Sequence, residues 1–157
     1  MDLKKLTPGE VLTAVCGVLL LIVSFFPWYG IDLGPLGDFN RNGWQEPDAF
    51  FSIIAVILGV VLAAHVIVEK LASVDLPDRL GSVGWGMMHL AGGVIAFVFV
   101  LLKWIMNTDF TKFWLYVALI LTAGLAAGGY LMAKEAGELP QALGGAKGDA
   151  APPPPPA

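Results

Sequence analysis

The chain has 157 residues, of which 57% are apolar and 14% charged, with a formal net charge of −4. A soluble domain carries about 25% charged residues. Here the charges are confined to positions 2–10, 32–48, 69–79, 103–112 and 134–149, leaving apolar runs of about 20 residues, the pattern of a polytopic membrane protein. No basic stripe is present, which excludes nucleic acid as a partner.

Lys4 and Lys5 precede the apolar run 11–26, as in a signal peptide. The run ends in Phe25-Phe26-Pro27-Trp28-Tyr29, with no small-x-small cleavage site. It therefore reads as an uncleaved first helix, about 8–26. Thr7-Pro8-Gly9-Glu10 is a capping-box start with proline at the first helical position. Pro27 is the natural stop. The lone cysteine, Cys16, allows no intramolecular disulfide and reads as a small packing residue.

Residues 28–47 form the longest connector between apolar runs and are rich in glycine, aspartate and asparagine. No alternation in it is strong enough to predict a strand. Trp28, Tyr29 and Trp44 are the right residue types to anchor it at the headgroup level. Asp38-Phe39-Asn40-Arg41-Asn42-Gly43 matches the first half of a calcium loop, with Asp38, Asn40, Asn42 and Glu46 as candidate metal ligands. Against this, the twelfth position is Ala49 where a bidentate glutamate belongs, and Arg41 opposes a cation.

The second helix is predicted over about 48–69, interrupted only by Ser52 and His65. A polar connector with Pro77 leads to a third helix, about 82–103, with Ser82 as N-cap and a small-residue first half that includes Gly92 and Gly93. Residues 107–112 join it to a fourth helix, about 113–134, with Trp104 and Trp114 as further interface anchors. The fourth helix contains Gly124-x-x-x-Gly128, a pattern that permits close helix approach inside a bundle or between two copies. Residues 1–136 thus read as one transmembrane domain. Residues 137–157 read as a disordered tail, glycine-rich and then proline-rich, a passive spacer or a ligand for an aromatic groove.

Lys and Arg set the orientation. The N-terminal segment, the 69–81 connector and the C-terminal segment carry six (Lys4, Lys5, Lys70, Arg79, Lys134, Lys147), and the other two connectors carry three (Arg41, Lys103, Lys112). By the positive-inside rule both termini are cytoplasmic and the loop 28–47 is outside.

His65 and His89 lie inside apolar runs. If the second and third helices are antiparallel neighbours, the two differ in depth by only about 5 Å. Ionisable groups inside a membrane mark functional sites, and paired histidines on facing helices suit a haem or a metal ion. The alternative is a neutral pair hydrogen-bonded across the bundle. The apolar centres hold no carboxylate, and no nucleophile–base pair or phosphate-cradling glycine loop is visible.

The run Phe25-Phe26-Pro27-Trp28-Tyr29, a polar loop, and then Asn42-Gly43-Trp44 resembles the first outer loop of a group of small four-helix membrane proteins of actinobacteria. The resemblance covers about a third of the chain. It implies the topology and brings no activity with it. Trp28 and Gly43-Trp44 also echo the first outer loop of claudin-type proteins, but the cysteine pair of that loop is absent.

The expectation is an all-α, four-helix transmembrane bundle in a bacterial cytoplasmic membrane. It acts without catalysis, through protein contacts of the outer loop and the small-residue helix faces, on itself or on another membrane protein. The alternatives are a haem- or metal-binding redox protein using His65 and His89, and a small channel or solute carrier.

Overall fold

The computed structural model describes residues 3–77, 79–140 and 156. Within them, four α-helices follow in order: α1 (Pro8–Val23), α2 (Ala49–Leu71), α3 (Trp85–Met106) and α4 (Phe113–Glu135). The last three are long and apolar enough to cross a membrane, and α1 is a shorter apolar helix. Each helix packs against its neighbours in the chain, and α4 closes back on α1. Val15, Ile22, Ile57, Val61, Val98 and Ile120 stand exposed around the outside. Water disfavours such a belt of large apolar side chains, whereas hydrocarbon accommodates it.

The capping box of α1 is formed. Thr7 N–H donates to Glu10 Oε2 at 2.9 Å, and Glu10 N–H donates to Thr7 Oγ1 at 3.4 Å. The helix ends three residues before the predicted 26. Pro27 bars helical dihedrals at the residue before it, and the chain tightens: Phe25 and Phe26 N–H donate to Ile22 O and Val23 O, three residues back. The third helix begins three residues after Ser82. Residues Arg79–Leu80 (β3) and Val83–Gly84 (β4) pair across a turn in which Gly81 takes φ +67°, a conformation glycine adopts without strain. α4 ends in a Schellman turn, with Gly137 N–H to Lys134 O and Glu138 N–H to Ala133 O. The turn sends Glu138 back to α3, where its carboxylate accepts from Met87 N–H at 2.9 Å.

The connector predicted without strands contains an antiparallel hairpin, β1 (Pro27–Asp32) and β2 (Asp38–Asn42), with Ile31 opposite Phe39. Alternation was too weak to reveal it because tertiary hydrogen bonds supply the order. Gly30 N–H donates to Phe110 O, and Lys112 N–H donates to Trp28 O, so the α3–α4 connector fixes the far side of β1.

The small-residue faces are covered within the chain. Gly92 faces Leu62 of α2, Gly93 faces the backbone of Leu125 and Ala126, Gly124 faces Cys16, and Gly128 faces Gly9 and Thr13. These glycines lie where helices of one bundle approach closely. The predicted tail lies mostly outside the described residues.

Candidate functional site

The two polar residues that interrupt α2 each meet a polar residue of α3. His65 lies 13 positions after Ser52, and Lys103 lies 14 positions after His89. In antiparallel helices, the register that joins one couple also joins the other. The two sites lie roughly 20 Å apart along the bundle.

At the hairpin end, Lys103 is fully buried. Its Nζ donates to Ser52 Oγ at 2.7 Å and to the carbonyl of Gln45 at 3.4 Å, and lies 5.7 Å from the ring centres of both Trp28 and Tyr29. Ser52 Oγ donates onward to the Gly43 carbonyl. Tyr29 Oη donates to Lys103 O at 3.1 Å. Burial, with the Asp48 carboxylate adding to it, pushes this phenol above its ordinary range. Asn107 Nδ2 donates to Asp48 Oδ2 at 2.6 Å, joining the end of α3 to the start of α2. A buried ammonium is tolerated only with such acceptors and aromatic faces around it.

Asn42-Gly43-Trp44 locks onto this core. Asn42 Oδ1 accepts from Trp44 N–H, and Trp44 Nε1 donates to Ser24 Oγ at 2.8 Å. Gly43 N–H donates to Ser24 O. A Cβ at Gly43 would sit about 3.0 Å from the Trp28 ring, so glycine is needed here for space. Trp44, Trp104 and Trp114 are half-buried around the rim, Trp114 stacked on Phe26 at 4.4 Å. Trp28 and Tyr29 are instead interior residues, 0% and 4% exposed. Their NH and OH find partners inside the protein, with Trp28 Nε1 donating to Val23 O at 2.9 Å.

The predicted cation loop does not form. Asp38, Asn40 and Asn42 lie on the extended strand β2, which sets Asp38 and Asn42 about 13 Å apart. Ligands of one calcium ion stand within about 5 Å of one another. The Glu46 carbonyl is engaged by Arg41 Nη1 at 3.2 Å.

At the opposite end, His65 and His89 do meet, His89 Nε2 to His65 Nδ1 at 3.0 Å. This direct contact is the arrangement expected of a neutral pair hydrogen-bonded across the bundle. Among the described residues no group of three or more His, Cys, Asp or Glu could hold a metal ion. His65 lies against Trp85, ring centres 3.9 Å apart, and its Nδ1 is 3.9 Å from Glu69 Oε2. Beside this wall opens a cleft of about 250 Å³ lined by Glu10, Glu69, Glu135 and Glu138. Lys70 bridges Glu10 and Glu69 at 3.3 Å each.

Sequence reasoning missed Lys103 by placing it at the end of the third helix and counting it with the outer connectors, whereas α3 runs on to Met106. The available signal was its pairing in register with Ser52, given that His65 and His89 were already matched. No family model matches the chain, and no curated protein or solved structure is similar to it.

Proposed function

We propose that this chain is a multi-pass protein of a bacterial cytoplasmic membrane, kin to the small four-helix membrane proteins of actinobacteria. Both termini are cytoplasmic, and it acts without catalysing a reaction, by presenting its outer hairpin to another membrane protein. One observation carries the reading. The base of the hairpin is held to buried Lys103 through Tyr29 and the Trp28 ring, while Leu33, Leu36 and Phe39 stand exposed at its tip, Leu36 at 86%. Large apolar side chains held out on an ordered element are a contact surface. The orientation has added support: with Lys103 buried, the outer connectors keep only Arg41 and Lys112, against six on the other side.

The test is a photo-crosslinking residue at Leu36, activated in native membranes. The expected product is a discrete adduct with a second membrane protein. An adduct with lipid alone, or with a second copy of the chain, overturns the reading.

A further inference from the structure

The histidine contact at the end remote from the hairpin has a fixed proton capacity. We propose that His65 and His89 form a one-proton site, a dyad that takes up a single proton and shares it between the two rings. At 3.0 Å, one ring nitrogen of the contact carries a hydrogen and the other a lone pair. The two nitrogens turned away from the contact, His65 Nε2 and His89 Nδ1, are buried with no partner among the described residues. In the neutral dyad one of these holds a hydrogen and the other a bare lone pair. That lone pair is the basic position.

Protonating it gives the same cation from either starting tautomer. Both outer nitrogens then carry hydrogens, and the bridging proton lies between Nδ1 of His65 and Nε2 of His89. No bond other than N–H forms, and the charge increases by one. A second proton would put hydrogens on both nitrogens of the contact and break it, so the capacity is one while the rings touch.

The surroundings suit a cation. Glu69 and Lys70 face the dyad from α2, Glu10 from α1, and the Trp85 ring from α3. Glu135 and Glu138 complete the cleft wall from α4 and the turn beyond it. Lys70 offsets one carboxylate of the pair it bridges. Glu69 lines the cleft and lies 3.9 Å from His65 Nδ1, the nitrogen of the contact, where its carboxylate favours a proton held between the two rings.

The experiment is a titration of the full chain in lipid nanodiscs, with ¹⁵N-labelled histidine followed by NMR from about pH 8 to 4. Both rings are expected to move together in one transition, each by about half the shift of a full imidazolium, because the step belongs to the pair. In His89→Gln, His65 is expected to move alone with roughly twice its original amplitude. Full shifts on both rings, movement of one ring only, or no movement on either would each overturn the proposal. The unsubstituted protein decides the question even if the variant does not fold.

Discussion

Single side chains set the order of the hairpin end. Lys103→Met keeps the stem and removes the donor to Ser52 and Gln45, so it is expected to cost about 1–3 kcal/mol. Lys103→Ala also opens a cavity and is expected to cost more. Thermal unfolding in detergent distinguishes the two. Gly43→Ala pushes a methyl against the Trp28 ring, with an expected loss of about 1–3 kcal/mol by the same measurement. Tyr29 adds a pH dependence. Its folded phenol titrates above the unfolded value of about 10. A raised folded value means its contribution is complete below that pH and is lost as the pH rises above it. Alkaline unfolding is therefore expected to be less steep in Tyr29→Phe than in the parent chain.

Two adjacent glycines of α3 differ in the room they have. A Cβ on Gly93 would meet the backbone of α4 about 2.6 Å away, and backbone cannot move aside cheaply. A Cβ on Gly92 would meet only the Leu62 side chain, at 3.1 Å or more. Gly93→Ala is thus expected to lower the unfolding temperature clearly more than Gly92→Ala, the difference corresponding to about 1–2 kcal/mol. Equal effects would contradict the close seam between α3 and α4. Helix identities were legible from apolar run length and from Thr7, Pro8 and Pro27. The ends that moved, at Val23 and Trp85, were decided by turns whose hydrogen bonds local sequence does not announce. The hairpin β1–β2 was illegible because the α3–α4 connector holds it from one side.

At the scale of the molecule, the bundle separates two polar sites at opposite ends of the same α2–α3 seam. One clamps the hairpin and the other meets an acidic cleft. The expected topology is open to direct measurement. Leu36→Cys introduces an exposed thiol, while Cys16, the only native cysteine, is buried. A membrane-impermeant maleimide applied to intact cells is expected to label the variant and leave the parent chain unlabelled. Labelling only after lysis would invert the orientation.

The amino-acid sequence by itself determined the helical class and the apolar runs, three of which form helices long and apolar enough to cross a membrane. It also determined the first cap, since Thr7 and Glu10 act within one turn, and it marked His65 and His89 as a couple by depth. Only the tertiary structure decided what each marked residue does. It buried Trp28 and Tyr29, which composition alone assigns to the membrane surface. It drew Asp38, Asn40 and Asn42 out along a strand, and it spent the small-residue faces inside one chain. It also revealed Lys103, whose role depends on Ser52, Gln45 and two aromatic rings brought together from distant positions. A charge in an apolar helix has no meaning until the groups that solvate it are in place.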